Sequence, residues 1–194
     1  MTLTESSRER VDGWIADFAD RYDSFARVEE RWEMSPGYYE RTLERFERGE
    51  NGGAGIHVTN DAGEVLLVRD KGDEGWVDPG GKRESRGASE AKRPASGAGE
   101  SFEATARRET REETGVECEV TGLFSARTIK IVDETDPGRP TLYSLIAIFT
   151  GEPVADDPTP RPREGEIAAV DWFDAPPETV GYSAVAERPF PSGN

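Results

Sequence analysis

The sequence predicts an α/β (α+β) fold, an α/β/α sandwich with a mixed sheet, preceded by an N-terminal helical segment. Three observations support this prediction. Aromatic residues recur at helical spacing through the first 48 residues, and from Ala54 onward short apolar runs typical of strands replace them. One amphipathic helix is predicted between the strand-like runs, over residues 100–114.

The composition limits the class of protein. A chain of 194 residues has room for one domain with an additional segment. The formal net charge is −16, which argues against binding to nucleic acid or to an anionic membrane surface. Only four basic residues are lysines, and an acidic, lysine-poor surface is typical of halophilic cytosolic proteins, in which salt screens the self-repulsion.

Cysteine and histidine usage narrows the chemistry further. Cys118 is the only cysteine, so an internal disulfide is excluded and a reducing compartment is expected. His57 is the only histidine, which excludes a site with two imidazoles and favours a structural residue in a strand. No apolar run reaches transmembrane length, and the first ten residues lack a signal-peptide core. We therefore expect a cytoplasmic protein.

Residues 1–50 are predicted to form a helical extension. An amphipathic helix is expected over 5–33 and a second, shorter helix over 37–48, separated by the sequence MSPGYY. The apolar stripe of the first helix consists of Val11, Trp14, Ile15, Phe18, Tyr22, Phe25 and Trp32. This stripe either packs on the following domain or serves as a partner-binding face, with a homodimer as one form of it.

Strands are predicted in the remainder of the chain. The runs AGIHVTN and EVLLVRD flank the residues DAG and indicate a β-hairpin. One or two strands are expected over 117–132, a buried strand over 141–150 and a short strand over 168–173. The last twenty residues predict a short helix and then a flexible tail over 186–194.

Three glutamates on the predicted helix suggest a metal site. At 100° per residue, Glu109, Glu112 and Glu113 share the stripe of the apolar residue Phe102. Clustered carboxylates that lose water must either take up protons or be neutralised by cations. Oxygen ligands without nitrogen or sulfur favour Mg²⁺ or Mn²⁺. A solvated acidic face is the alternative, although it does not explain the position on the apolar stripe.

The surroundings of these glutamates resemble the signature helix of the Nudix hydrolases. The resemblance rests on Glu100, Arg108–Glu109, Arg111, Glu112–Glu113 and the sequence TGV that follows them. The upstream sequence GWVDPGGKRE resembles the strand end and loop that precede this helix in the family. The similarity covers roughly residues 54–175 and implies a Nudix-like hydrolase domain over 54–185. We call residues 100–116 the glutamate box and residues 79–82 the glycine turn.

The sequence departs from the family pattern twice. Thr110 replaces a bulky apolar residue, and eighteen residues separate Gly81 from Glu100 where the family has five. The simplest alignment divides the family loop into residues 80–84 and 98–100, with a thirteen-residue insertion over 85–97. This locally basic insertion is interpreted either as a mobile lid over a polyphosphate or, with more support, as a passive surface loop.

The resemblance implies Mg²⁺- or Mn²⁺-dependent hydrolysis of a nucleoside diphosphate-linked substrate, a small-molecule nucleotide. Glu109, Glu112, Glu113 and the carbonyl of Gly81 are the implied metal ligands. The resemblance also implies that Gly80 and Gly81 approach the substrate closely. Arg69 is expected to contact the substrate phosphate or to form a surface salt bridge. The residues expected to support the site are Arg108, Glu100 and Gly115.

The general base and the substrate stay open at this point. Glu164 is the preferred base and Glu166 the alternative, with Glu109 as a third catalytic candidate because some family members use a glutamate of the box. The sequence does not separate nucleoside triphosphates, nucleotide sugars and dinucleotides. The alternative function is a non-catalytic, nucleotide-binding sensor.

Overall fold

The structure is a computed structural model, and it describes residues 1–84, 99–156, 158–188 and 190. The predicted insertion at 85–97 lies outside the described residues. The helices are α1 (Leu3–Arg21), α2 (Pro36–Glu47), α3 (Phe102–Thr114) and α4 (Ser183–Ala186). The strands are β1 (Ala26–Met34), β2 (Gly53–Val58), β3 (Val65–Asp70), β4 (Gly80–Lys82), β5 (Cys118–Asp133), β6 (Leu142–Pro153) and β7 (Ile167–Phe173).

The strands form a mixed α/β architecture, as predicted. A five-stranded sheet has the order β1-β5-β6-β2-β4, and β3 pairs with β7 in a two-stranded sheet. The chain divides into two compact units. The first contains Met1–Gly53, Lys82–Phe102 and Leu123–Ala147, and the second contains Ala54–Gly81, Glu103–Gly122 and Ile148–Asn194.

In the first unit, the N-terminal segment is only partly helical. Helix α1 begins with a capping box between Thr2 and Glu5 and ends at Arg21. The prediction of one helix over 5–33 is wrong beyond this point, because β1 follows and pairs in parallel with β5. The physical reason is visible in the sequence: apolar residues alternate at Ala26, Val28, Trp32 and Met34, which is strand periodicity.

Three aromatic residues of the first unit, Phe18, Tyr39 and Phe46, are buried. Phe18 is buried and makes an edge contact with Phe102, with ring centroids 5.4 Å apart. Helix α2, predicted over 37–48, is confirmed and contributes Tyr39 and Phe46 to a core shared with β5 and β6. The packing interpretation of the α1 stripe is therefore confirmed for Phe18, while Trp32 is exposed.

The two ends of the insertion meet in the first unit. The guanidinium of Arg83 donates to the carbonyl of Glu100 from Nε and Nη2, at 2.9 and 2.7 Å. The backbone N–H of Glu100 donates to the carbonyl of Glu84 at 3.2 Å. A Cβ on Gly99 would lie 2.9 Å from Arg83 Nη2, so glycine permits this close contact. These contacts join residues 83–84 to residues 99–100.

In the second unit, the predicted hairpin is only partly correct. Asn60 closes the turn by accepting from the N–H of Glu64 at 2.9 Å, and Thr59 bridges Val65. Beyond this bridge β2 and β3 belong to different sheets. Both strands are almost continuously buried, so each needs cover on two faces, which a two-stranded hairpin cannot supply.

The predicted flexible tail is wrong at two described positions. Arg188 is 3% exposed, and Phe190 packs against a core of Val65, Leu67 and Val185. Residues 191–194 lie outside the described residues. None of the helices in the described ranges has the length and apolar character needed to cross a membrane.

Candidate active site

Helix α3 carries the glutamate box, and its burial follows the predicted stripe except at Glu112, where the prediction of an inward carboxylate is wrong. Thr105 and Ala106 are fully buried, and Glu113 is 9% exposed. The side chain of Glu109 is 14% exposed, whereas that of Glu112 is 41% exposed. Two of the three glutamates therefore point inward and one lies at the surface.

The helix ends as the sequence predicts. Gly115 adopts a φ of 73°, the left-handed conformation that glycine tolerates, and its N–H donates to the carbonyl of Arg111 at 2.9 Å. Thr110, the departure from the family pattern, is fully buried and satisfies its hydroxyl by donating to the carbonyl of Ala106 at 2.8 Å. The substitution thus leaves no unpaired hydroxyl in the helix.

Glu113 is a buried carboxyl held against the glycine turn. Its Oε2 accepts from the backbone N–H of Gly80 at 3.0 Å. Burial raises the pKa of Glu113 to about 8; the bond from Gly80 opposes this shift, while the charges of Glu109, Asp70 and Glu166 add to it. An ionised Glu113 is costly in this environment unless a cation joins it.

Glu109 lies against the backbone of Gly81. A Cβ built on Gly81 would come within 2.4 Å of Glu109 Cδ, so the chain needs glycine here for the carboxylate to sit beside the backbone. Arg108 Nη1 lies 3.0 Å from Glu109 Oε1 and 3.6 Å from Glu112 Oε2. Arg108 therefore pairs with two box carboxylates, which agrees with the supporting role expected from the sequence.

Arg163 links the box to the loop before β7. Its Nη1 lies 3.4 Å from Glu112 Oε2 and 3.1 Å from Glu166 Oε2. Glu166 also raises the pKa of Glu113 by its charge. Glu164 and Glu166 are both exposed, the Glu166 side chain to 62%, and Gly165 between them has a φ of 93°. The structure thus brings Glu166 to the box, and the described contacts of this loop do not do the same for Glu164.

The attachment of this loop was not found from the sequence. The last carbonyls of a helix lack partners within it, and here Glu113 and Thr114 accept from the N–H groups of Arg163 and Arg161, at 3.0 and 2.7 Å. The only sequence signal for this loop is the run of charged and turn residues just before β7. That run does not identify the C-terminal end of α3 as the partner of the loop.

Arg69 and Asp70 lie at the end of β3. The guanidinium of Arg69 lies over the ring of Trp76, 5.6 Å from its centroid, and among the described residues its Nε has no hydrogen-bond partner. Asp70, which sequence reasoning missed, has a pKa raised by burial and by the charges of Asp73 and Glu166. Asp70 also lines an open cavity of about 360 Å³.

Glu100, the first residue of the box, lies in the other compact unit. Its backbone is fixed by Arg83 and Glu84, as described above, and it lies two residues before α3 begins. The supporting role expected of Glu100 therefore stays a prediction.

The donor set fits a hard divalent cation. Glu109, Glu112, Glu113 and the carbonyl of Gly81 offer oxygen alone, the ligand type that Mg²⁺ and Mn²⁺ prefer. Among the described residues, however, no three acidic, histidine or cysteine side chains are gathered closely enough to hold a metal ion. The arginines explain this spacing, because Arg108 and Arg163 pair with the carboxylates that a cation would share.

A helix that carries buried carboxylates against a glycine turn, at the β4 edge of a mixed sheet, defines the class of the Nudix-type pyrophosphohydrolases. The family model described as NUDIX domain matches residues 50–179, well over half of the chain. The chain belongs to the NUDIX domain family.

The chain is similar to several solved structures at low identity. A NUDIX hydrolase from Nitrosomonas europaea matches with 18% identity over 64% of this chain and 57% of that chain, with a TM-score of 0.45. A MutT NUDIX hydrolase from Burkholderia pseudomallei matches with 22% identity over 70% of this chain and 94% of that chain, with a TM-score of 0.45. A UDP-X diphosphatase matches with 16% identity over 93% of this chain and 88% of that chain, with a TM-score of 0.47.

The chain spans just over half the length of the first of these structures. Comparison with the curated proteins finds no match.

Proposed function

We propose that this chain hydrolyses the pyrophosphate bond of a nucleoside diphosphate linked to another group, by water attack on phosphorus with Mg²⁺ or Mn²⁺. The observation that carries the proposal is the convergence of Glu109 and Glu113 on the backbone of Gly81 and Gly80. Buried carboxylates raise the cost of folding, and a cation site is the function that offsets this cost.

Glu109, Glu112, Glu113 and the carbonyl of Gly81 would hold the cations. Bound divalent ions neutralise a pyrophosphate, polarise the P–O bond and acidify the attacking water. Glycine at 80 and 81 allows the main chain to lie close to the phosphate group. Arg108 and Arg163 pair with the carboxylates of the box, and bound cations would compete with these ion pairs.

Glu166 is the general base that the geometry favours. Both loop glutamates are exposed, but Glu166 shares Arg163 with Glu112 and its charge raises the pKa of Glu113. In this position Glu166 can accept a proton from the water that attacks phosphorus. Glu109 is the alternative base from the box.

Arg69 is the proposed phosphate contact. A guanidinium placed over Trp76, with a buried Nε that lacks a partner among the described residues, has donors to offer an anion. The acidic lining of the neighbouring cavity, from Asp70, Asp73 and Glu74, would repel a further phosphate there. The net charge of −16 supports a free nucleotide, not a polynucleotide, as substrate, and a cytoplasmic setting.

A substrate screen at high salt tests the proposal. Nucleoside triphosphates, nucleotide sugars and dinucleoside polyphosphates are incubated with Mg²⁺ or Mn²⁺, and phosphate-containing products are measured. We expect turnover that EDTA abolishes and that Glu112→Gln and Glu113→Gln lower strongly. Binding without turnover of any substrate would support the nucleotide sensor, and unchanged metal affinity in both variants would remove the proposed site.

A further inference from the structure

A buried aspartate directly precedes the glycine turn. The side chain of Asp78 is fully buried, and both of its carboxylate oxygens have partners. Oδ1 lies 2.8 Å from His57 Nδ1, and Oδ2 accepts from the hydroxyl of Tyr182 at 3.1 Å. Oδ2 also pairs with Nη1 of Arg188, whose side chain is fully buried as well. Asp78 is thus the centre of a buried polar network.

Two of these partners come from the segment over residues 179–190. This segment runs beside the chain that leads into the glycine turn, because the N–H of Trp76 donates to the carbonyl of Thr179 at 3.1 Å and the N–H of Gly181 donates to the carbonyl of Trp76 at 2.9 Å. A Cβ on Gly75 would lie 2.4 Å from the nitrogen of Gly181. Only glycine allows the two backbones to approach this closely.

The residues after Asp78 transmit its position to the box. The carbonyl of Pro79 accepts from the N–H of Ile56 at 3.1 Å, and the N–H of Gly80 donates to Glu113. A Cβ on Gly80 would lie 2.5 Å from the Cα of Gly55. The turn is therefore held by β2 on one side and by Asp78 at its start, with Glu113 as the group that it contacts.

Because Asp78 carries a charge, the position of its side chain is sensitive to the loss of a partner. Burial lowers the pKa of Arg188 to about 10, so the guanidinium still carries its charge at neutral pH. Removing one member of a buried ion pair leaves the other charge uncompensated. Asp78 would then move towards water, and the two peptide units after it would carry this movement to Gly80.

We propose that Arg188 and Tyr182 are positioning residues, which hold the glycine turn against Glu113 through Asp78 and so set the affinity of the box for divalent cations. The second half of this inference rests on the proposed function. The first half, that Arg188 and Tyr182 hold the glycine turn against Glu113, rests on the geometry of the second unit alone.

The test compares Tyr182→Phe and Arg188→Met with the wild type in two measurements. Hydrogen exchange of the Gly80 amide, followed by NMR, reports how well the turn is held on Glu113. Titration with Mn²⁺ alone, followed by EPR, reports metal affinity without any substrate. We expect roughly threefold faster exchange and weaker Mn²⁺ binding for Tyr182→Phe, and about tenfold effects for Arg188→Met, since a lost hydrogen bond costs less than a lost ion-pair partner.

Two further variants separate positioning from general stability. Arg139→Met also removes an arginine from a buried aspartate, Asp133, but in the other compact unit, and it should change neither measurement. Arg188→Lys keeps the charge and should recover part of the Mn²⁺ affinity. If Arg188→Met does not fold, Tyr182→Phe and Arg188→Lys decide the question.

The outcomes are distinct. A lower melting temperature with wild-type exchange at Gly80 and wild-type Mn²⁺ affinity would overturn the proposal, as would equal losses in Arg139→Met. If the wild type itself binds no Mn²⁺, the proposed function fails, and the exchange of Gly80 alone then decides whether the network holds the turn.

Discussion

Glu113 Oε2 accepts a hydrogen bond from the backbone N–H of Gly80 at 3.0 Å, across 33 positions of the sequence. This bond joins the glutamate box to the glycine turn, so that a carboxyl with a pKa of about 8 lies beside the backbone of Gly80. Both groups belong to the same compact unit, together with Glu109 and Glu166. Changes at the turn and changes at the box should therefore have the same functional consequence.

Gly81→Ala should inactivate the enzyme while leaving it folded. The added Cβ would come within 2.4 Å of Glu109 Cδ, and the flexible carboxylate, not the backbone, would move away. Misplacement of a reacting group by about 1 Å costs roughly 100-fold in rate, so we expect at least that loss in kcat/KM. Steady-state kinetics and thermal melting are the measurements.

Gly13→Ala is the matched control. It adds the same methyl group in α1, where nothing lies within 4 Å. We expect unchanged kcat/KM and a gain of about 0.5–1 kcal/mol in stability, because alanine is the better helix residue. Equal kinetics for Gly81→Ala and Gly13→Ala would contradict the placement of Glu109.

Glu113→Gln should change how stability depends on pH in the absence of metal. Because the pKa of Glu113 rises from 4.5 to about 8 on folding, its contribution to stability is complete below about pH 4.5 and is lost as the pH rises through 8. Glutamine does not titrate. Between pH 5 and 9 the wild type should therefore lose about 1–3 kcal/mol relative to the variant, measured by urea unfolding with EDTA.

Bound metal should reverse the order of stability of the wild type and Glu113→Gln. A ligand that binds only the folded state stabilises it by mass action, so Mg²⁺ should raise the melting temperature of the wild type and leave that of Glu113→Gln almost unchanged. The same stability difference at pH 5 and pH 9 without metal would mean that Glu113 is not buried as an acid.

Glu166→Gln should impair catalysis far more than Glu164→Gln. Loss of a general base costs about 100- to 10,000-fold in kcat, whereas a loop carboxylate that takes no part in the Arg163 bridge should matter by less than about twofold. The two substitutions are chemically identical and lie two positions apart, so each is a control for the other. A larger loss in Glu164→Gln would restore the base expected from the sequence.

Deletion of residues 85–97 should leave a folded protein. The N–H of Glu100 already bonds to the carbonyl of Glu84, so Ala98 and Gly99 would close a four-residue β-turn between them. We expect a change in stability within about 1 kcal/mol, since loop length affects closure entropy only weakly. Circular dichroism and urea unfolding measure it.

The same deletion tests the passive interpretation of the insertion. Unchanged kcat and KM would support a surface loop, whereas a clear rise in KM would support the lid. Failure to fold would contradict the division of the family loop into residues 80–84 and 98–100.

The local sequence predicted the box helix and its inward stripe, because Phe102, Ala106 and Glu113 recur at helical spacing and Gly115 marks the end. The same reasoning failed at β1. Val28 and Trp32 fit a helical spacing from Phe25 as well as the alternation of a strand, and the pairing with β5 decided between them. Periodicity therefore predicts secondary structure well where the apolar residues fit either the helical or the strand period, but not both.

The partners of the site could not be predicted in the same way. Asp78 and Arg188 are buried, and Arg163 joins two glutamates, yet in a chain with 33% charged residues each of them resembles a surface charge. Their roles depend on contacts across 50 or more positions, such as Arg163 with Glu112, which local pattern does not encode. Only the folded geometry separates Glu166 from Glu164.

The most direct test of the account is hydrolysis in ¹⁸O-labelled water with Mg²⁺ and a nucleoside diphosphate-linked substrate identified by the screen. Mass spectrometry of the products then locates the label. The account predicts one ¹⁸O on a phosphate group of a product, in the wild type and not in Glu113→Gln or with EDTA. Cleavage with the label on carbon, or equal turnover by Glu113→Gln, would contradict water attack on phosphorus at the glutamate box.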